Sequence, residues 1–216
     1  AECYATNGVS RILNSDANIV EIVNNYSRIS FNFGPSLLSW LEKNAPDTYQ
    51  AVLEADRESQ KRFFGHGSAI SQAYSHMILP LANPRDKETQ VAWGIRDFEH
   101  RFGRKPEAMW LPETAVDLAS LEVLAIHGIK FTILAPHQAK QVRRIGDGRW
   151  TDVSGGKIDP TMAYEIILPS GKKMILFFYD GPISRAIAFE RLLNRGEDLA
   201  NRVLGAFSDN RSHHEL

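Results

Sequence analysis

The stretch Met109-Trp110-Leu111-Pro112-Glu113 decides the fold that we expect for this chain of 216 residues. Its apolar residues predict a short buried strand, and Pro112 cannot extend a hydrogen-bonded ladder, so the strand must end where Glu113 begins. Catalytic residues of α/β barrels lie at such strand ends. Glu113 beside Trp110 suits a sugar-cleaving site, since an indole stacks on pyranose rings and a carboxylate stabilises an oxocarbenium-like centre. The alternative role for Glu113 is a cap on the following helix.

Helices and strands alternate on both sides of this stretch. Periodic apolar residues predict helices over residues 35–41, 46–61, 86–102, 117–127, 183–193 and 197–207. Strands are predicted over residues 28–33, 130–134, 164–168 and 173–179. Because strands return after helices, we expect an α/β fold with parallel strands and outer helices. The turn Pro169-Ser170-Gly171-Lys172 adds a β-hairpin near residues 164–179.

Composition favours one domain and neutral partners. With 43% apolar residues the chain can bury one sizeable core, so we expect a single domain over residues 1–216, with residues 136–160 as a loop insertion. The net charge of −1 argues against nucleic acid and anionic membranes as partners. The single cysteine, Cys3, cannot form a disulfide framework, which favours a cytoplasmic setting. We also expect truncation at both ends, since the chain begins at Ala1 and stops in the polar stretch 212–216.

Four further residues are candidates for the site. Asp180 also ends an apolar strand, although Asp-Gly-Pro is a common turn whose carboxylate bonds its own backbone. His66 lies between two glycines in a loop that suits a ligand-binding or proton-transfer histidine. His76 precedes an apolar run, so a buried structural role is its alternative. His137 follows the 130–134 strand and would reach a ligand hydroxyl, with a loop cap as its alternative.

Metal binding and tryptophan platforms are open alternatives. His66, His76 and a carboxylate would make a divalent-metal site, but their spacing does not fit a helical metal motif, so we expect no metal. We expect Trp40, Trp93 and Trp150 to belong to the core and Trp110, by its position, to face a sugar. The sequence contains no phosphate-binding glycine loop and no nucleophile elbow.

The order of the motifs resembles glycoside hydrolase family 57. The motifs that carry the resemblance are residues 74–81, Phe102-Gly103 with Pro106, Trp110-Leu111-Pro112-Glu113 and residues 128–131. The chain looks most similar to the DUF3536 branch of that family, which Gly65-His66-Gly67-Ser68, residues 129–136 and residues 177–182 also fit. The resemblance implies part of an incomplete (β/α)7 barrel that acts on α-glucans by a retaining mechanism. It implies Glu113 as the nucleophile and His76 in a sugar subsite.

Two parts of the family pattern are not found in this sequence. The His-Gln-Pro segment of the first strand is not found before Cys3, and the Asp-Gly-Glu segment of the acid/base residue is expected beyond residues 197–207. Asp180 belongs to an earlier segment, so the resemblance does not make it the acid. We therefore expect this chain alone to be weakly active or inactive, because loss of the acid costs roughly 10²–10⁴-fold in rate.

Our leading hypothesis is a carbohydrate-active domain with an oligosaccharide or polysaccharide substrate and no cofactor. Glu113 is its catalytic residue, and Trp110, His66, His76, Asp180 and His137 are its substrate-binding residues. One rival hypothesis is a metal-dependent polysaccharide deacetylase with His66 and His76 as ligands. The other is a glycan-binding module without catalysis. The sequence leaves the oligomeric state, the glucan linkage and the choice between hydrolysis and transfer open.

Overall fold

The computed structural model describes residues 2–146 and 148–206. Its helices are α1 (Glu2–Gly8), α2 (Pro35–Asn44), α3 (Pro46–Arg62), α4 (Pro84–Phe102), α5 (Leu118–Ile126), α6 (Gly181–Phe189) and α7 (Gly196–Leu204). Its strands are β1 (Ser10–Leu13), β2 (Ile19–Val23), β3 (Ser71–Gln72), β4 (Met109–Trp110), β5 (Phe131–Leu134), β6 (Gln141–Val142), β7 (Thr151–Asp152), β8 (Tyr164–Ile167) and β9 (Lys173–Phe178). The expected α/β class is confirmed.

The helices on either side of β4 begin and end within a few residues of their predicted bounds. α4 stops because Gly103 takes the left-handed conformation, with φ of 67°. At the start of α4, the side chain of Asn83 accepts a hydrogen bond from the amide of Asp86. Local capping residues, which are readable in the sequence, therefore fix both ends of this helix.

Short parallel segments lie side by side in the part of the fold that carries Glu113. β3 pairs with β4 in parallel, with Ser71 opposite Met109 and Gln72 opposite Trp110. Parallel bridges add a segment on each side, Phe31 to Ala69 and Ala108 to Phe131. The Ile175 amide of β9 then donates to the Lys130 carbonyl at 2.9 Å. Parallel strands place their carboxyl ends at one edge, so the residues after β3 and β4 are neighbours there.

The prediction of a full strand over residues 28–33 is wrong. Residues Asn25–Ser27 form a 3-10 turn, and of the predicted strand Phe31 makes an isolated bridge to Ala69. α2 begins at Pro35, only four residues after Phe31. The segment has too few extended residues to form a ladder, although its one bridge, to Ala69, is parallel.

The segment of residues 136–160 contains regular structure of its own. β6 and β7 pair in antiparallel fashion, with Gln141 opposite Asp152 and Val142 opposite Thr151. β8 and β9 follow this segment and are neighbours in a sheet of order β5-β9-β8. Two short paired strands give a physical reason why this segment exceeds the length of an ordinary connection.

The carboxyl-terminal helices are shorter than the sequence predicts. α6 ends at Phe189, four residues before the predicted end at Leu193. α7 runs over Gly196–Leu204, whereas the predicted end at Phe207 and the polar stretch 212–216 lie outside the described residues. Among the residues that the structure describes, none of the helices is long and apolar enough to cross a membrane.

The chain divides into two compact units. One comprises the described residues up to Thr132 together with Glu165–Ile175, and the other comprises Ile133–Tyr164 and the described residues from Leu176 onward. The expectation of a single domain with an insertion stays a prediction. Glu113, Trp110, His66 and His76 all belong to the first unit, and His137 and Asp180 belong to the second.

A buried ion pair joins α3 to the loop after α4. Asp56 is 1% exposed, and its carboxylate accepts hydrogen bonds from Arg104 Nε at 2.9 Å and Arg104 Nη2 at 2.7 Å. The same carboxylate accepts the Ala69 amide at 2.8 Å, and Arg104 Nη2 donates to the Ala69 carbonyl. A Cβ on Gly67 would lie within 2.4 Å of both side chains, so only glycine fits beside the pair.

Candidate active site

Glu113 lies just beyond the carboxyl end of β4 in a strained turn. The 3-10 turn Pro112–Thr114 contains Glu113 at φ of 57°, and Thr114 follows at φ of 53°. Left-handed conformations of residues other than glycine cost of order 1–3 kcal/mol each and persist where the surrounding structure fixes them. Such strain often marks functional sites, so it motivates a functional hypothesis for this turn.

His76 meets Glu113 at this edge. It lies beyond the carboxyl end of β3, the parallel neighbour of β4, and its Nε2 atom is 3.8 Å from Glu113 Oε1. His76 also has a positive φ of 54°, in a turn that its amide closes on the Ala73 carbonyl. The side chains are 53% and 72% exposed respectively, so both are open to a ligand. The buried structural role that we considered for His76 is wrong.

Trp110 is the last residue of β4 and is half-buried. It stands opposite Gln72 of β3 in the parallel register, three residues before Glu113. A half-buried tryptophan three residues before a carboxylate suits the stacking of a sugar ring. Its contact with a sugar stays a prediction.

The capping role for Glu113 is wrong, because Asp117 caps α5. Asp117 Oδ1 accepts the Ser120 amide at 2.7 Å, and the Asp117 carboxylate also bonds Lys87 Nζ at 3.0 Å. Burial opposes ionisation of Asp117, but the bonds from Ser120 and Lys87 outweigh it and hold the pKa of this carboxyl below its usual value. Glu113 therefore does not cap α5.

The structure places His66 at the opposite ends of the parallel strands. His66 precedes Ala69, and its Nδ1 atom is 2.7 Å from an oxygen of Glu107, which precedes β4. Lys130, which precedes β5, donates to the other oxygen of Glu107 at 2.7 Å. These residues share the amino-terminal edge of the strands, so the structure brings His76, but not His66, to Glu113. The order along the chain carries the signal for this difference, since His66 precedes β3 and His76 follows it.

The cluster of His66, Glu107 and Lys130 gives a pH-dependent prediction. The hydrogen bond from Lys130, followed by that from His66, lowers the pKa of Glu107 below its ordinary value of 4.5. A carboxyl with a lowered pKa stabilises the fold above its unfolded pKa, and this stabilisation is lost as the pH falls through the folded pKa. Glu107→Gln should therefore cost under about 1 kcal/mol at pH 7, because the side chains of Lys130 and His66 are both well exposed.

Urea denaturation of both proteins at several pH values measures this difference. We expect the gap between wild type and variant to shrink as the pH falls below the unfolded pKa of Glu107. A gap that stays constant down to pH 3 would contradict the account.

The structure gives Asp180 a local role, whereas it specifies no role for His137. Asp180 Oδ1 accepts the Ile183 amide at 2.8 Å and caps α6, which is the turn role that we considered for it. His137 is exposed in the 3-10 turn Pro136–Gln138, where Gln138 Oε1, and not the histidine, accepts the Ala135 amide. Sugar contact by either residue stays a prediction.

The prediction that three tryptophans are core residues is wrong. Trp40, Trp93 and Trp150 are 48%, 53% and 54% exposed. The Trp93 ring meets the Tyr74 ring edge to face at 5.6 Å, and the Arg143 guanidinium lies 4.7 Å from the centre of the Trp150 ring. For these three tryptophans the sequence contains no signal that distinguishes a buried ring from an exposed ring.

The two histidines of the metal hypothesis each pair with a different carboxylate. Within residues 2–146 and 148–206, no group of three His, Cys, Asp or Glu side chains is placed to hold a metal ion. His66 faces Glu107 and His76 faces Glu113, on opposite edges of the strands. The structure therefore does not assemble the ligand set that the deacetylase hypothesis requires.

Comparison with known proteins identifies the family of this chain. The family model for glycosyl hydrolase family 57 matches residues 9–212. The chain belongs to glycosyl hydrolase family 57. The matched range includes the Glu113 and His76 pair, Trp110, and the strands β3 and β4 that position them. The expectation drawn from the motif order is thus confirmed at the level of the family.

Relatives within family 57 are distant in sequence. The chain is 25% identical over 161 residues to alpha-amylase 1 of Dictyoglomus thermophilum, a match that covers 74% of this chain and 20% of that enzyme. The chain therefore spans about a fifth of the length of this relative.

Two solved structures of similar fold extend the comparison. An exo-type maltose-forming amylase from Pyrococcus sp. ST04 has a TM-score of 0.65 at 20% identity, over 85% of this chain and 28% of that one. A 4-alpha-glucanotransferase from Thermococcus litoralis has a TM-score of 0.54 at 19% identity, over 78% of this chain and 24% of that one. At these identities the similarity shows a shared fold.

Proposed function

We propose that this chain carries the nucleophile of a retaining enzyme that hydrolyses α-glucans or transfers glucan segments. Glu113 is the nucleophile, Trp110 is a platform for a sugar ring, and His76 lines the adjacent subsite. The observation that carries the proposal is the exposed pair of His76 and Glu113, 3.8 Å apart at the carboxyl ends of neighbouring parallel strands. Membership of family 57 supports a glycosidic bond as the target.

The reaction needs two displacements at one carbon. In the first, a Glu113 oxygen attacks the anomeric carbon, the bond to the leaving oxygen breaks, and an acid of the full-length protein protonates that oxygen. In the second, water or a sugar hydroxyl attacks the same carbon, the bond to the Glu113 oxygen breaks, and the conjugate base of that acid takes the proton of the attacking group. Two inversions give net retention. We assign no acid role to Asp180, because its carboxylate caps α6.

His76 contributes as a hydrogen-bond donor beside the nucleophile. An imidazole N–H at this position can bond either the Glu113 oxygen that does not attack or a hydroxyl of the bound sugar. The His76 amide donates to the Ala73 carbonyl and closes the backbone turn. This turn holds the imidazole ring at the carboxyl ends of the strands. The pair is thus suited to orient a carboxylate toward a sugar carbon.

The proposal includes both hydrolysis and transfer. Relatives in sequence and fold are named as alpha-amylase, maltose-forming amylase and 4-alpha-glucanotransferase. These reactions share the first displacement and differ in whether water or a sugar accepts the glycosyl group. We further propose that the chain belongs to the DUF3536 branch and forms part of an incomplete (β/α)7 barrel, on the strength of residues 65–68, 129–136 and 177–182.

Product stereochemistry tests the proposed function. The full-length protein that contains this chain is incubated with a linear α-1,4-glucan such as maltoheptaose, and proton NMR follows the first product before it mutarotates. We expect the α-anomer to appear first. A β-anomer as the first product, or no turnover of any α-glucan, would refute the proposal.

A further inference from the structure

We propose that one face of α4, formed by Lys87, Gln90 and Gly94, holds the two loops that carry His76 and Glu113 and so sets the distance between these side chains. The three residues are spaced three and four apart, which places them on one face of the helix. All of them are buried, although two are polar. They are positioning residues, and their proposed effect on catalysis rests on the function proposed above for Glu113.

Gln90 binds the two residues that precede His76. Its carbonyl accepts the Tyr74 amide at 3.1 Å, and its Oε1 accepts the Ser75 amide at 2.7 Å. Its Nε2 also lies 3.4 Å from Ser75 Oγ, a weaker contact. A buried side-chain amide with both ends engaged fixes the path of the chain into the His76 turn.

Gly94 allows α4 to approach this loop closely. A Cβ at residue 94 would lie 2.1 Å from the Gln72 carbonyl oxygen and 3.4 Å from the Tyr74 amide nitrogen. No side chain fits at the first of these distances, so glycine is required for the helix to reach β3. Trp93 adds an edge-to-face contact with the Tyr74 ring. The helix thus contacts the chain from the end of β3 to Ser75.

Lys87 performs the same task for the loop that carries Glu113. Its Nζ atom binds both oxygens of Asp117, at 3.1 Å and 3.0 Å, and its side chain is 5% exposed. Asp117 begins α5 three residues after Thr114, the last residue of the strained turn. A buried ammonium requires this partner, so the contact holds the far end of the Glu113 turn against α4.

The two strained turns therefore share one support. His76 and Glu113 both have positive φ angles, which a turn adopts only when its surroundings impose them. Gln90 fixes the chain before His76, and Lys87 fixes the chain after Glu113, one helical turn apart. A small shift of either loop would change the 3.8 Å separation of His76 Nε2 and Glu113 Oε1.

Substitution of Gln90 in the full-length protein tests the inference. Gln90→Leu removes both side-chain bonds to Ser75 at similar volume, and we expect a loss in kcat of roughly 10–100-fold with KM within about twofold. Gln90→Glu keeps an acceptor for the Ser75 amide and should recover most of that loss. Arg96→Gln, a change on the exposed side of α4, is the matched control and should leave both constants unchanged.

A second measurement does not depend on activity. In wild type, Glu113→Gln should shift the NMR signals of the His76 ring, because the two side chains face each other. In the Gln90→Leu background we expect this response to fall by more than half, while Arg96→Gln leaves it intact. If Gln90→Leu does not fold, Lys87→Met tests the same support through Asp117.

The two measurements separate the inference from the proposed function. An inactive wild type in which Gln90→Leu still lowers the His76 response by more than half would refute the proposed function and support the role of α4. Unchanged kcat in folded Gln90→Leu, or a His76 response of wild-type size, would overturn the inference.

Discussion

Glu113→Gln lowers the turnover of an α-glucan by roughly 10³-fold or more, if this carboxylate is the nucleophile. The amide keeps the size and most of the shape of the side chain but cannot form the glycosyl ester. Glu113 is 72% exposed and caps no helix, so the change should leave the free energy of unfolding within about 0.5 kcal/mol of wild type. Steady-state kinetics on maltoheptaose and urea denaturation measure the two quantities.

A matched control and a rescue sharpen this prediction. Glu107→Gln is the same substitution at the opposite ends of the strands, where Glu107 binds Lys130, and it should retain activity. In Glu113→Ala, azide can enter the vacated space and attack the anomeric carbon, which should restore turnover and give a β-glycosyl azide. Equal losses in both glutamine variants would contradict a catalytic role for Glu113.

Asp56→Ala should be the most destabilising single substitution that we predict, at about 3–5 kcal/mol. The change leaves the Arg104 guanidinium without its carboxylate and the Ala69 amide without its acceptor, in a region where Asp56 is 1% exposed. It also frees Gln60 Nε2, which donates to Asp56 Oδ2 at 3.1 Å. Breaking one side of a buried pair is costly because the remaining charge has lost its compensation.

The control for Asp56→Ala is a substitution in an exposed ion pair, and urea denaturation measures the stability of both variants. Arg57 and Glu54 form an ion pair on the same helix, but both side chains are about half exposed. Arg57→Ala should therefore cost at most about 1 kcal/mol. Similar losses of stability for the two pairs would contradict the claim that the buried ion pair of Asp56 and Arg104 holds α3 to the loop after α4.

Local patterns in the sequence predict the helices and the strand end at Glu113 because their determinants are local. The proline at residue 112 ends β4, the glycine at residue 103 ends α4, and the apolar periodicity over residues 86–102 marks α4 itself. The strand around Phe31 is mispredicted for the opposite reason. The length of this strand depends on how many of its residues can pair with the neighbouring segment at Ala69. The local sequence around Phe31 does not contain that information.

The candidate site is only partly readable from the sequence. Glu113 is found because its strand is recognisable, whereas His66 is misplaced because β3 has only two residues and mixed periodicity. Knowledge of that strand would have separated His66, which precedes it, from His76, which follows it. Lys87 and Gln90 leave no signal, since polar residues on a helix suggest exposure until their partners in distant loops are known.

Covalent trapping of the nucleophile tests the central claim most directly. The full-length protein that contains this chain is incubated with 5-fluoro-α-D-glucosyl fluoride, digested with protease, and analysed by tandem mass spectrometry. Fluorine at C5 slows the second displacement more than the first, so the glycosyl ester accumulates. We predict the mass of one fluoroglucosyl unit on the peptide that contains Trp110-Leu111-Pro112-Glu113, located at Glu113 and lost in Glu113→Gln. A label on any other carboxylate would contradict the account.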